Sequence, residues 1–170
     1  EKGIPGCPLL DSVGGIWKFK ADKLNQSYGD AVHFARGLKN AVGIDISKNI
    51  TEMAGAIGLN AIQGFFDDPM AERIKKEEGL ADIVTGSNAF PHNDEPEIVL
   101  KAAKKILKKD GHFIVEIMYA GDLLEQLQWD SMYHEHLSYF CATTLEVLLN
   151  RFGFHMVDVE HLPMHAGSLR

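Results

Sequence analysis

Four adjacent residues, Tyr133-His134-Glu135-His136, carry the densest chemistry in the chain: a phenol, two imidazoles and a carboxylate. Histidine titrates near neutral pH and can act as a base, glutamate can orient it, and tyrosine can donate to a developing oxyanion. A structural histidine with a satisfied hydrogen bond accounts for the same residues, and the residue types alone leave both readings open. A metal site fits less well. His134 and His136 are two positions apart, so they share a face only on a strand, and the H-E-x-x-H helical spacing is absent.

Other positions gain interest from the strand ends they occupy. Asp45 closes a short apolar run and precedes Ile46-Ser47. An acid there can accept two hydrogen bonds from a ribose diol, or simply cap the next helix. Gly86-Ser87-Asn88-Ala89-Phe90-Pro91-His92 follows another apolar run and offers small and polar groups where a cofactor edge would lie. An ordinary strand-to-helix loop would look the same. Glu116, inside an apolar run ahead of Tyr119, must be paired if it is buried. Whether it faces a pocket or holds a structural hydrogen bond stays open. Gly14-Gly15 is the one candidate for a glycine turn after a first strand. It lacks the G-x-G-x-x-G spacing, and Gly14 precedes Asp45 by 31 residues against about 20 in the dinucleotide fingerprint.

The elements that must position these groups alternate from about residue 40 onward. Ala41 to Asp45 reads as a buried strand. Ser47 then caps a helix that reaches about Ile57 and stops at Gly58. Ala61 to Phe66 reads as a second strand. Asp68-Pro69 opens a helix with a capping acid and a first-turn proline, and that helix carries Ile74 inward and ends at Gly79. Leu80 to Gly86 is a third strand. Asp94 and Glu97 have capping-box spacing, and a helix continues to about Lys109 with Val99, Ala102, Ala103, Ile106 and Leu107 on one face. His112 to Met118 is nearly continuous in apolar residues, which suits a strand covered on both faces. Thr144 to Arg151 predicts a helix, and Phe154 to Val159 a last strand. Strands alternating with helices imply an α/β, doubly wound, mostly parallel sheet. Within residues 1–40 the prolines and glycines break the periodicity; Pro8 to Val13 is read as the first strand and Ile16 to Gln26 as a helix.

The 170 residues suit one domain, 1–170, and their 45% apolar and 24% charged content is that of a soluble globular chain. A net charge of -7 argues against nucleic acid or an anionic membrane as main partner. Cys7 and Cys141 share no short spacing, so a disulfide framework or cysteine-rich zinc site is not expected, and a reducing cytoplasm is the expected location. No apolar run approaches the roughly 20 residues of a membrane span. The start at Glu1 and stop at Arg170 suggest cut ends, with truncation in the last strand.

The pattern resembles the class I S-adenosylmethionine-dependent methyltransferases, with their Rossmann-like fold. More narrowly it resembles the sugar C-methyltransferases acting on nucleotide-linked 4-keto-deoxysugars. The matching stretches are Gly43-Ile44-Asp45-Ile46-Ser47, Gly64-Phe65-Phe66, Asn88-Ala89-Phe90-Pro91-His92, Asp110-Gly111 through Glu116, Met132 to Phe140, and His165-Ala166-Gly167-Ser168-Leu169-Arg170. Tyr-His-Glu-His-Leu-Ser-Tyr-Phe is the most specific of them. The resemblance implies S-adenosyl-L-methionine as cofactor. It implies Asp45, with Ile46 and Ser47, at the ribose, and Gly64, Phe65 and Phe66 near the adenine. Asn88, Ala89 and His92 would lie on the methionine side, and Gly14 and Gly15 would stand in the glycine turn. It implies His136 as general base assisted by Tyr133 and Glu135. His134, Tyr139, His165, Gly167, Ser168 and Arg170 would lie toward a small-molecule acceptor, a nucleotide-linked sugar. No metal is needed. The family's acid-Gly-Ser-Asn-Asp-Gly motif is not readable, its flanking domains are absent, and its His-Gly-Gly-Ser turn has Ala166 in second place. A non-catalytic, degenerate relative and a methyltransferase on another small acceptor are the competing expectations.

Overall fold

A computed structural model describes residues 16–19, 41–163 and 167–170 of the chain. Seven strands form a sheet in the order β3-β2-β1-β4-β5-β7-β6. They are β1 (Ile16–Phe19), β2 (Val42–Asp45), β3 (Ala61–Gln63), β4 (Ala81–Ser87), β5 (Leu107–Met118), β6 (His161–Leu162) and β7 (Ser168–Leu169). The helices are α1 (Lys48–Ala56), α2 (Asp68–Glu78), α3 (Pro96–Ile106), α4 (Ala120–Glu125) and α5 (Ala142–Arg151). β2 pairs parallel with β3, and β4 with β5. β1 is antiparallel to both β2 and β4, and β7 is antiparallel to β5 and β6. Five strands therefore share one direction, and β1 and β7 oppose it.

The local chemistry explains most element boundaries. Asp67 caps α2 by accepting from the Met70 amide at 2.9 Å, with Pro69 in the first turn. The capping acid is thus Asp67, one residue before the expected Asp68, because Asp68 already lies in the helix. Ser47 sits at the N-cap of α1 but makes no side-chain cap. Asp45 does that work from two residues upstream, accepting from the Ser47 N–H at 2.7 Å. The capping box at Asp94 and Glu97 does not form: Glu95 occupies the N-cap of α3 without a side-chain cap, and Pro96 opens the helix.

The core draws on both covering helices and the strands. Ile74 of α2, Val99, Leu100, Ala102, Ala103 and Ile106 of α3, Val84 of β4, Ile117 of β5 and Leu145 and Leu149 of α5 join one cluster. Ile74, Leu100 and Ile106 are fully buried, and each contributes about 1.5–3 kcal/mol of transfer free energy. Phe90 packs against Phe140 with centroids 5.5 Å apart and edge-on to Phe113 at 6.2 Å.

Three expectations are corrected. Ile16–Phe19 is strand, not helix; Ile, Trp and Phe are strand formers, and pairing with β2 and β4 outweighs a helical pattern. Leu107 begins β5 directly after α3, so the helix ends before Lys109. Phe154 to Val159 forms no named strand. The alternation there is satisfied without a ladder: Phe154 stacks on Phe113 at 5.6 Å and lies under the Lys104 ammonium at 4.9 Å, while Val157 is 82% exposed. The last pairing instead comes from β6 and β7. Pro8 to Val13 and the remainder of 1–40 lie outside the described residues.

Candidate active site

The chemistry gathers at the edge of the sheet where β2, β4 and β5 end. β4 passes into a 3-10 turn at Phe90–His92. Asn93 closes that turn, its Nδ2 donating to the carbonyls of Ala89 at 2.8 Å and Phe90 at 3.1 Å. The Pro91 carbonyl then accepts from the amides of Leu137 at 3.0 Å and Ser138 at 3.2 Å. These two bonds dock the histidine segment on the turn.

The result is an aromatic and imidazole cluster around His136. The Tyr133 hydroxyl lies 2.9 Å from His136 Nε2, with the rings 4.2 Å apart. In the tautomer carrying its proton on Nδ1, His136 Nε2 accepts from the phenol. The His92 ring meets His136 edge-on at 5.0 Å, and Tyr139 does so at 5.8 Å. Tyr139 is held in turn by a hydroxyl bond to the Ser131 carbonyl at 3.4 Å. Partial burial raises the Tyr133 phenol above its ordinary value, and the nearby charge of Glu135 adds to that. His134 and Glu135 point into solvent in the exposed turn.

A second group lies at the ends of β2 and β3. Asp45 Oδ1 is fixed by the Ser47 amide, and the Asp45 carbonyl accepts from the Gly64 amide at 2.9 Å. Gly64 has φ +152°, a backbone conformation that L side chains rarely adopt and that glycine takes freely. Ile46 and Phe65 expose 58% and 67% of their surfaces beside the half-buried acid. An acceptor for a diol flanked by exposed apolar side chains fits an adenosine moiety. Phe66 differs from its neighbours: it is buried in the core immediately before the cap of α2, so it supports the site by packing. Ala89 is likewise buried. Asn88 adopts φ +52° and donates its amide to the Glu116 carbonyl at 2.8 Å.

The carboxyl-terminal residues are placed differently from the expectation. Ser168 is fully buried in β7, opposite Met118 and Leu162, so it is a sheet residue without a surface to offer a substrate. Gly167 is buried, and its carbonyl accepts from the Tyr119 amide at 3.0 Å. Arg170 is engaged by Glu116, Nη2 to Oε2 at 2.7 Å, and lies 3.7 Å from Glu160. That resolves Glu116 as a paired buried acid. Sequence reading flagged the acid but not its partner, 54 positions away. It also missed Asp122, a buried carboxylate that meets His161 Nε2 at 2.6 Å beneath the edge of Tyr119. His165, Gly14 and Gly15 lie outside the described residues. Among the described residues no group of three or more His, Cys, Asp or Glu is placed to hold a metal ion, and no helix is long and apolar enough to cross a membrane.

The strand order and the reversed β7 are those of a Rossmann-like sheet, here with β1 also antiparallel to its neighbours. Residues 15–159 match the methyltransferase domain family model, and the chain belongs to that family. Among curated proteins it is similar to the C-methyltransferase NovU of Streptomyces niveus, with 34% identity over 136 residues, covering 80% of this chain and 32% of that protein. It also matches an uncharacterized protein of Methanocaldococcus jannaschii at 25% identity, covering 71% of this chain and 58% of the other. The chain thus spans about a third of the first relative and somewhat over half of the second. Among solved structures, a SAM-dependent methyltransferase of Anabaena variabilis shares the fold with a TM-score of 0.62 at 16% identity, covering 84% of this chain and 70% of that one. A SAM-dependent methyltransferase of Thermotoga maritima does so with a TM-score of 0.57 at 21% identity, covering 76% and 65%.

Proposed function

We propose that this domain binds S-adenosylmethionine and methylates carbon in an enolisable acceptor, a nucleotide-linked keto-deoxysugar, with His136 as base. The observation that carries the reading is the 2.9 Å contact between the Tyr133 hydroxyl and His136 Nε2, in a segment anchored to the Pro91 carbonyl. The similarity to NovU, a C-methyltransferase, supports carbon as the methylated atom.

The residues divide the work by chemistry. Asp45 would hold the ribose diol through the carboxylate that Ser47 orients, with Ile46 and Phe65 offering apolar surface to the adenine. When bound, S-adenosylmethionine supplies an electrophilic methyl group on a sulfonium. With the acceptor bound, the Tyr133 hydroxyl turns from His136 Nε2 to the ketone oxygen, and the freed Nε2 lone pair takes the proton from the neighbouring carbon while the C–H pair forms the C=C bond and the C=O π pair moves onto the oxygen. Tyr133, a phenol and so protonated at neutral pH, donates to that oxygen as charge develops. Glu135 favours the protonated phenol through its charge. Positioning of the nucleophilic carbon is then the remaining task.

A deuterium-exchange assay tests the base. In heavy water the wild type should exchange the acidic C–H of a nucleotide-linked 4-keto-deoxysugar. His136→Ala should slow that exchange and methyl transfer by about 10²–10⁴-fold while S-adenosylhomocysteine binding persists. Exchange at the wild-type rate would remove His136 from this role. A second reading, a methyltransferase-like domain without cofactor binding, draws on β1. Because that strand runs against its neighbours, its first residue, Ile16, pairs with Ile44 and Gly86 near the strand ends. Calorimetric titration with S-adenosylhomocysteine separates the two, since only the first predicts binding.

A further inference from the structure

We propose that the buried Glu116–Arg170 ion pair is a positioning device for the His136 segment, acting through the Ser87–Asn88 turn. The inference deepens the reading of His136 as the working base and rests on it for its catalytic meaning.

Glu116 occupies β5 among apolar neighbours, with its side chain 8% exposed, and the Arg170 side chain is 18% exposed. A carboxylate so buried needs a partner, and a guanidinium can hold it in a fixed direction. Three contacts of Glu116 reach the end of β4 and the hairpin beyond it. Oε2 accepts from Arg170 Nη2 at 2.7 Å, and Oε1 accepts from Ser87 Oγ at 3.4 Å. Its backbone carbonyl accepts from the Asn88 amide at 2.8 Å. One residue therefore fixes both the side chain and the backbone of consecutive turn residues. Asn88 there adopts φ +52°, a left-handed turn conformation that asparagine tolerates better than most side chains.

The turn continues for three residues to Pro91, whose carbonyl holds the Leu137 and Ser138 amides directly after His136. On the far side, Arg170 exchanges backbone hydrogen bonds with Glu160 at 2.8 and 2.9 Å, and its Nη1 lies 3.7 Å from the Glu160 carboxylate. The guanidinium is thus anchored to the β6–β7 hairpin. A continuous path of bonds runs from that hairpin through Glu116 and the Asn88 turn to the histidine segment. The value of such a pair lies in fixing one geometry, since a buried ion pair is weak evidence for stability.

The test is amide hydrogen exchange by NMR on the full chain, with the His136 ring signals followed in parallel. Arg170→Met should speed exchange at Leu137 and Ser138 by at least about tenfold relative to amides of α3, as expected when a local opening becomes easier. It should also shift the His136 ring resonances. Arg170→Lys, which keeps the charge but not the fork, should restore part of the protection. If Arg170→Met does not fold, the double variant Glu116→Gln/Arg170→Met, which leaves no buried lone charge, should show the same faster exchange. Unchanged exchange at Leu137 and Ser138 with unchanged His136 signals, in either folded variant, would overturn the proposal. None of these readouts needs cofactor or acceptor. A wild type that fails to bind S-adenosylhomocysteine would therefore remove the proposed function and leave the positioning result standing.

Discussion

Replacing Asp45 by asparagine isolates the contact proposed for the cofactor ribose. Asp45 is half-buried at the end of β2, and Oδ1 is already committed to the Ser47 amide at 2.7 Å. The second carboxylate oxygen is the one available to a ribose hydroxyl. Asparagine can keep the bond to Ser47 through its amide oxygen, so α1 retains its start and the Gly64 amide retains the Asp45 carbonyl. What changes is the outward group, from a charged acceptor to an NH₂ donor. A hydrogen bond to a charged group is worth about 1.5–3 kcal/mol, and each 1.4 kcal/mol is tenfold in affinity. Asp45→Asn should therefore weaken S-adenosylhomocysteine binding by about 10- to 100-fold in isothermal titration, with the melting curve unchanged. A loss under about threefold would show that Asp45 does not carry the diol, and the ribose assignment would fall.

Gly167→Ala should destabilise the chain by about 2–5 kcal/mol in urea unfolding. The residue has φ +116°, and an added Cβ would overlap the Asp122 carboxylate that binds His161; a change below about 0.5 kcal/mol would count against that packing. Tyr133 predicts a pH effect with a definite sign. Its raised value means that the folded chain keeps a proton that the unfolded chain loses, so stability falls as pH climbs above the ordinary phenol range, about 10, towards the folded value. Tyr133→Phe should abolish this alkaline loss, and identical urea midpoints for the two proteins from pH 9 to 11 would refute it. Cys141, at the N-cap of α5, has its thiol lowered to about 7 by hydrogen bonds from Thr143 and Thr144. Peptide-mapped alkylation of Cys141 should show a half-maximal rate near pH 7, and a midpoint at about 8.5, the value for an ordinary thiol, would contradict it.

The periodic signals that made the α/β pattern readable are local. Alternating strands and helices, the inward face of α3, Pro69 in the first turn of α2 and the glycine stops at 58, 79 and 153 all depend on residues a few positions apart. Sequence sufficed for them because helix and strand periods, caps and breakers act within a turn or two. The closeness of Tyr133 and His136 in sequence is likewise local, three positions apart in one tight turn, whereas the anchoring of that turn on the Pro91 carbonyl is not.

Other features needed the tertiary structure. Ile16 to Gln26 reads as a helix in a stretch without clear periodicity, but pairing between β2 and β4 makes Ile16–Phe19 a strand, because sheet pairing lies outside any local window. Phe66 looks like a ligand-facing aromatic beside Phe65, yet only the fold shows that one is buried and the other exposed. Ser168 and Arg170 read as substrate residues until β7 buried the first and Glu116 captured the second. The chain itself therefore made legible the periodic elements from about residue 41 to 151 and the Tyr133–His136 cluster of acid–base groups. The tertiary structure decided which of those residues meet, since a buried charge is satisfied by whatever partner the packed sheet brings to it, however far away in sequence that partner lies.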